Sequence, residues 1–404
     1  MALLPVEEAR ERILAAMTPV GTETIALSAA LGRVLASPVT ARRTQPPADV
    51  SAMDGYAVRA LDAQAGAELA VIGEAPAGHP FRGRVGPGEA VRLFTGSVVP
   101  EGADAVLLQE DSETLEGGRI RVKETVIFGQ HIRRRGIDFE EGEVILPRGR
   151  RLSPRDIGLA AAANHPWLTV HRRPRVALLA TGDEIALPGE PIGEGGIVSS
   201  NTHALAALVA AQGAEASLLP FARDDREELA RRLHEAEGFD LLVTTGGVSV
   251  GAYDLVGESL AARGFSLDFW KIAMRPGKPL LFGRLGDQPV IGLPGNPVSA
   301  FVCALLFLVP ALQAKSGLPP APWPRRQARS RSPLKENDQR FDFLRARLQE
   351  DESDTLWAEA FPIQDSSLQR VLAAADGLLL RPPFAPALPA GSPVEVIAFA
   401  DLGL

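Results

Sequence analysis

Apolar residues recur with helical spacing over residues 6–17, with charges between them, which predicts an amphipathic helix at the start of the chain. Residues 25–35 predict a second, shorter one. From residue 38 to 150 the pattern changes to short apolar runs at 69–72, 90–94, 105–108, 120–122 and 144–146, broken by Gly and Pro. That punctuation predicts a β-rich domain with long loops. A helix over 154–164 follows. From residue 175 strands at 176–180, 218–221, 241–244 and 290–293 alternate with helices at 202–212, 225–237, 255–263 and 297–313. Alternation on this scale predicts a mostly parallel sheet covered on both faces. Ligands in such sheets sit beyond the carboxyl ends of the strands. Residues 315–333, rich in Pro and Arg, read as a semi-rigid linker. Beyond it, runs at 341–348, 355–360, 377–380 and 394–399 are spaced as a small antiparallel sheet or barrel.

Composition narrows the classes. A chain of 404 residues with 46% hydrophobic and 23% charged residues is expected to fold into two to four domains. A formal charge of −8 argues against nucleic-acid or anionic-membrane binding, so an anionic ligand must be held by local groups. Cys303 is the only cysteine and falls in the apolar run 298–312, where it reads as a core residue. A single thiol makes no disulfide and no multi-thiolate metal site. If the protein handles a soft metal, the substrate must supply the sulfur. The run itself, interrupted by Ser299 and Pro310, is short for a membrane span and reads as a buried helix. No basic segment precedes an apolar core at the N-terminus, so a cytoplasmic location is expected.

Scarce residues gather in a few loops. There are 5 lysines against 37 arginines, and Lys271 and Lys278 flank Arg275 within eight residues. Lys is a compact point charge and Arg a planar fork, so a small anion can favour the former; chance retention on a solvated surface explains two lysines about as well. Just downstream, the run 289–291 breaks at Gly292 and at Pro294-Gly295. Asn296 then stands where an N-cap belongs and Pro297 at the first helical position. The N–H groups of Val298, Ser299 and Ala300 would point out of such a helix start, a setting that binds oxyanions. An ordinary strand-to-helix turn explains Asn and the prolines equally well.

Two further strand ends carry chemistry. The run 176–180 ends in Thr181-Gly182-Asp183-Glu184. The run 241–244 leads into Gly246-Gly247 and Ser249, a glycine-rich turn that enters a helix behind Asp254. Such a turn can form an anion-binding concavity, although it lacks the spacing of a dinucleotide or Walker loop. Asp224 and Asp254 both precede helices and read as N-caps or as ligands. Glu184 has no evident cap to make. Hard oxygen donors of this kind suit Mg²⁺ held partly through substrate phosphates. The only tyrosines, Tyr56 and Tyr253, fall in such loops, the first within Ser51-Ala52-Met53-Asp54-Gly55-Tyr56. Asn201 and Asn296 are two of four asparagines, and Arg133-Arg134-Arg135 sits beside Asp138.

Residues 51–58, 133–138, 181–184, 246–254, 276–279 and 294–300 together resemble the molybdopterin molybdenumtransferase family, which includes the E domain of gephyrin. The similarity runs over essentially the whole chain. It implies a multidomain α/β plus β architecture. Residues 1–37 and 141–174 would form a helical and extended linker region, 38–140 an inserted β-rich domain, 175–318 a molybdopterin-binding α/β domain, and 327–404 a C-terminal β-barrel. It also implies a cytoplasmic homodimer with its active cleft shared between subunits, and possible contact with other proteins of molybdenum cofactor biosynthesis. The implied reaction inserts molybdenum from molybdate into adenylylated molybdopterin, with Mg²⁺-dependent pyrophosphate cleavage and release of AMP. By motif, Asp54, Asp138, Glu184, Asp224, Asp254, Lys271 and Arg275 correspond to catalytic groups, with Glu184, Asp224 and Asp254 as metal ligands. Thr95, Gly246, Gly247, Ser249, Lys278, Pro294, Asn296, Pro297, Ser299, Arg345 and Ser366 correspond to groups that seat the oxyanion, the phosphates and the pterin. Arg275 departs from the pattern, since many members carry Lys there. The competing readings are a molybdopterin adenylyltransferase of the same α/β type and a non-enzymatic dimeric scaffold.

Overall fold

The structure, a computed structural model, describes residues 3–223, 225–246 and 255–404. The first helix, Val6–Ala15, buries Val6, Ala9 and Ile13 on one face, as its spacing predicts. The second expected helix is absent. Its residues instead begin with the strand Thr22–Ala26, followed by a single 3₁₀ turn. Thr22, Thr24 and Ile25 are β-branched and stiff at χ1. The strand pairs antiparallel with Trp167–His171, and bridges join Val34 to Arg151 and Leu35 to Val170. Segments on either side of the β-rich region therefore meet. The β-rich region itself is a six-stranded sheet, with Gly55–Val58 between Ala105–Leu108 and Glu89–Leu93.

The α/β domain holds a six-stranded sheet in the order Glu215–Leu218, Arg175–Ala180, Leu241–Thr245, Gln288–Leu293, Leu281–Leu285, Phe265–Trp270. The first four strands are parallel; Leu281–Leu285 runs antiparallel to both its neighbours, so Phe265–Trp270 points the same way as the first four. The strand expected at 218–221 lies three residues earlier, because Pro220 follows the apolar pair that suggested it. Phe265–Trp270 has no counterpart in the sequence reading. It is an edge strand with four of its six residues exposed or half-exposed before Phe269, so it lacks a buried-strand signature.

The helix Pro297–Lys315 is long and apolar enough to cross a membrane, yet 83% of its most apolar window is buried in this fold. It is α-helical at both ends with a π segment over Ala304–Leu308. Pro310 has no N–H to give back to Leu306, so that carbonyl needs another donor. Trp323 supplies it, its indole Nε1 donating to Leu306 O at 3.0 Å. Trp323 is only 6% exposed and meets Phe343 edge-on at 6.2 Å. The stretch 315–333 is thus no free linker: one aromatic anchors it, and its second half is the barrel strand Arg326–Ser330.

The C-terminal strands close into a barrel, Phe341–Glu350 pairing with both Leu356–Ala360 and Gly377–Arg381. Met274–Arg275, which the chain delivers from the α/β domain, adds to its edge by pairing parallel with Phe341 and Asp342. Trp323→Phe keeps an aromatic ring but removes the N–H and part of the buried indole, so a cavity cost adds to that of the lost hydrogen bond. The orphaned buried acceptor alone should lower stability by about 1–3 kcal/mol, read as an earlier urea midpoint at unchanged slope.

Candidate functional site

Three parallel strands deliver their carboxyl ends to one crevice of about 330 Å³. Ala180-Thr181, Thr245-Gly246 and Gly295-Asn296-Pro297 form its floor, and close backbone approach is what makes it. Gly246 adopts φ +89°, and a Cβ there would lie 2.5 Å from Thr181 O. Only glycine meets both conditions. The side chain of Asn201 ties the loops together, its Nδ2 donating to Thr245 Oγ1 at 2.9 Å and to Gly295 O at 2.7 Å. Thr245 Oγ1 in turn donates to Pro294 O at 3.4 Å. Thr181 Oγ1 is buried with no hydrogen-bond partner among the described residues, so this wall holds a polar group with unused capacity. Ile185, Ile197 and Val198 supply an apolar side.

Glu184 stands at the mouth, exposed, with its carboxylate folded over Gly182: a Cβ at Gly182 would meet Glu184 Oε2 at 2.4 Å. Among the described residues no three His, Cys, Asp or Glu side chains cluster as a metal site. Asp224, Gly247, Ser249 and Asp254 lie outside the described residues.

The helix start differs from the sequence reading. Asn296 occupies the N-cap position but makes no capping hydrogen bond; its Nδ2 donates to Ser366 Oγ at 2.9 Å. Val298 N–H donates to Ser366 O at 3.0 Å, and Ala300 N–H to Asn296 O at 2.9 Å. Two of the three N–H groups expected to face an anion are therefore committed, and a barrel loop acts as the cap. Ser299 is buried. The same loop lines the crevice with Ser367 and Gln369, and Gln369 Nε2 donates to Ser200 Oγ at 2.6 Å.

The cations lie apart from this floor. Lys271 holds φ +72°, its ammonium 4.0 Å from the Trp270 ring centroid. Its backbone is fixed by Lys271 N–H to Leu280 O at 3.1 Å and by Leu4 N–H to Lys271 O at 3.3 Å. Lys278 is exposed. Between them Gly277 is packed so tightly that a Cβ would stand 2.3 Å from Cys303 Sγ, and burial pushes that thiol far up. Arg275 is committed to barrel carboxylates, bonded to Asp338 and 3.4 Å from Asp342 Oδ1. Asp338 is held down to about 2 by the side-chain and backbone hydrogen bonds of Arg340, with the charge of Arg275 adding. Arg345 is 1% exposed. Among the described residues its side chain reaches Phe343 O and Asp365 O, each at 3.4 Å, and its Nε has no partner; burial lowers its pKa to about 10. None of Lys271, Arg275, Lys278 and Arg345 lines the crevice.

Asp54, Thr95 and Asp138 lie in the β-rich region and do not line the crevice of their own chain. Asp54 Oδ1 accepts from Thr95 N–H at 2.7 Å and Thr95 Oγ1 at 2.8 Å. Those bonds, the backbone one first, hold its carboxyl below the usual range. Asp138 is exposed; the arginine run beside it is occupied elsewhere, Arg134 pairing with Asp49 at 2.7 Å and Arg135 N–H donating to the same carboxylate at 2.8 Å.

Sequence reasoning missed Thr181 as an orphaned hydroxyl and Thr245, Ser367 and Gln369 as lining residues. Thr245 carried a signal, since it ends a strand that stops at a glycine. Ser367 and Gln369 carried none, because only barrel docking brings them here.

Two outcomes follow from this geometry. Gly246→Ala should cost roughly 1–3 kcal/mol of stability through the forced positive φ and should weaken ligand binding by closing the Thr181 side, both measurable by calorimetry. For Asp338 the folded pKa lies below its ordinary 3.8, so its contribution is complete above that value and is lost as pH falls toward about 2. In Asp338→Asn that acid-sensitive component should vanish, which tryptophan fluorescence against pH would register as a flatter limb below about pH 4.

Comparison with known proteins places this geometry. The MoeA N-terminal region (domains I and II) matches residues 4–164, a probable molybdopterin-binding domain matches 177–314, and the MoeA C-terminal region (domain IV) matches 327–399. A molybdopterin molybdenumtransferase of Nostoc is 39% identical over 306 residues, covering 74% of this chain and 70% of its own. Molybdopterin molybdenumtransferase 2 of Mycobacterium tuberculosis is 36% identical, covering 92% of this chain and 94% of its own. A crystal structure of the molybdopterin biosynthesis MoeA protein of Pyrococcus horikoshii superposes with a TM-score of 0.84 at 30% identity, covering 98% of this chain and all of its own.

Proposed function

The chain belongs to the molybdopterin molybdenumtransferase family and is a transferase of molybdenum cofactor biosynthesis; from that premise we propose that it inserts molybdenum from molybdate into the dithiolene of adenylylated molybdopterin, cleaving the pyrophosphate and releasing AMP. The observation that carries this reading is the crevice at the carboxyl ends of the parallel strands. It offers an apolar wall from Ile185, Ile197 and Val198 for a flat ring system and a polar floor at Thr181, Thr245 and Gly246. The chain presents no accessible thiol beside it, since Cys303 is buried. Thiophilic cargo thus has the substrate's dithiolene as its sulfur ligand.

Glu184, the described one of the three expected metal ligands, has an exposed carboxylate at the crevice mouth. Hard oxygen donors fit Mg²⁺ that takes its remaining ligands from water and substrate phosphates. Bound there, Mg²⁺ would neutralise charge on the departing phosphate. Lys271 and Lys278 would hold molybdate and phosphate as point charges, while Arg275, clamped to the barrel, would orient their loop. Asp54, Thr95 and Asp138 do not line the crevice of their own chain. A homodimer in which the β-rich domain of one copy faces the crevice of the other resolves their separation. Ile127, Phe128 and Ile137, exposed by 68%, 72% and 67%, mark apolar surface on that domain for such contact.

The expected outcome is AMP release from adenylylated molybdopterin with Mg²⁺ and molybdate, falling on the order of 100-fold in Glu184→Gln and in Asp54→Asn. An equimolar mixture of the two variants, reassorted at random, should regain roughly a quarter of wild-type activity, because about half of its dimers are mixed and each of those has one of its two sites intact. A site within one chain would regain none. ATP-dependent adenylylation of molybdopterin without AMP release would instead identify an adenylyltransferase.

A further inference from the structure

A second cavity, about 610 Å³, opens at the amino ends of the parallel strands. The strand Leu241–Thr245 starts at this cavity, behind Asp240, and ends at the crevice. At about 3.3 Å per residue the two are roughly 17 Å apart along it. The walls are rich in charge, but nearly all of it is spoken for. Glu237 is paired with Arg263 and with His234 at 3.1 Å. Asp240 receives Arg172 Nη1 at 2.6 Å and Arg175 N–H at 2.7 Å. The amide of Gln288 donates to Ala236 O at 2.7 Å and Phe239 O at 3.0 Å.

Among the buried charges of the wall, Lys315 is the exception. It closes the long core helix, is 6% exposed, and lines the cavity. Its ammonium has no hydrogen bond or ion pair among the described residues. The nearby charges are Asp240, already doubly engaged, and the guanidinium groups of Arg172 and Arg284; Arg284 is held by Ala16 O at 2.8 Å. Burial lowers the Lys315 pKa, with Asp240 offsetting part of that. The residue is buried, but its ammonium is only about half so and keeps contact with solvent. A charge held this far from water is ordinarily paired, and the cavity is the open side from which a partner can reach it. Lys is also the residue type this chain uses least among its cations, and an ammonium seats a phosphate as a point charge where a guanidinium would fork.

We propose that this cavity is a second anion site, in which Lys315 seats inorganic phosphate or the phosphate of a small monoester, separate from the crevice and independent of the reaction proposed there. Phe239 and Leu285 on the wall offer apolar surface for the organic part of a monoester, and Asp287, exposed at the rim, opposes entry.

The test uses lysine labelled with ¹³C at the ε carbon, since the chain has only five lysines and Lys315→Met assigns the signal in question. At constant ionic strength, which removes general screening, inorganic phosphate and phenyl phosphate should each move the Lys315 signal saturably, with half-saturation on the order of millimolar. Asp287→Asn should tighten both by two- to threefold, a readout that survives if Lys315→Met folds poorly. A preference for phenyl phosphate would identify the monoester as the fitting ligand, and equal midpoints inorganic phosphate. A Lys315 signal unmoved while those of Lys271 or Lys278 shift would overturn the proposal, as would acetate acting as strongly as phosphate.

Discussion

A helix buried along most of its length must find partners for backbone groups that water cannot reach, and in this chain that demand falls on Pro297–Lys315. Its first turn is met by the carbonyl of Ser366, its proline-freed middle by the indole of Trp323, and its last turn by Val20, whose N–H reaches Lys315 O at 2.8 Å. The three partners come from the barrel, from the segment leading into it, and from the N-terminal region. Satisfying one apolar helix thereby assembles three parts of the molecule around the α/β sheet.

The crevice inherits its shape from that assembly. Because the barrel loop is drawn onto the start of the helix, Ser367 and Gln369 become a wall facing the strand ends. The floor depends on backbone contact between turns, with Asn201 holding two of them in register. Charged groups are arranged outside this floor on separate supports: Arg275 on barrel carboxylates, Lys271 on a residue from the N-terminal segment, Asp54 on Thr95 in the β-rich region. A site divided this way is completed by bringing surfaces together rather than by folding one pocket.

Much of the α/β core was legible because three of its four parallel strands carry apolar runs, whereas Glu215–Leu218, half in solvent, was displaced by three residues. Phe265–Trp270 was not legible, because an edge strand half in solvent shows no such run. The Pro-rich stretch before the barrel read as a linker on composition, and one tryptophan reversed that by burying itself against the helix. At the site, Gly246 and Pro297 were readable from turn chemistry. Asn296 was readable as a helix boundary but not in its bond to Ser366, since a capping residue and a residue reaching across domains share the same local sequence. The lysine scarcity drew attention to Lys271 and Lys278, whereas the buried lysine without a partner among the described residues is Lys315.

Met274–Arg275 belongs to the barrel by its hydrogen bonds, and Leu281–Leu285 to the sheet. The five residues between them are strung like a short leash between two posts, with Gly277 pressed against Cys303 near its start. Lys278 therefore carries its charge on a backbone with almost no slack, and the arc it can sweep is set by the length of its own side chain.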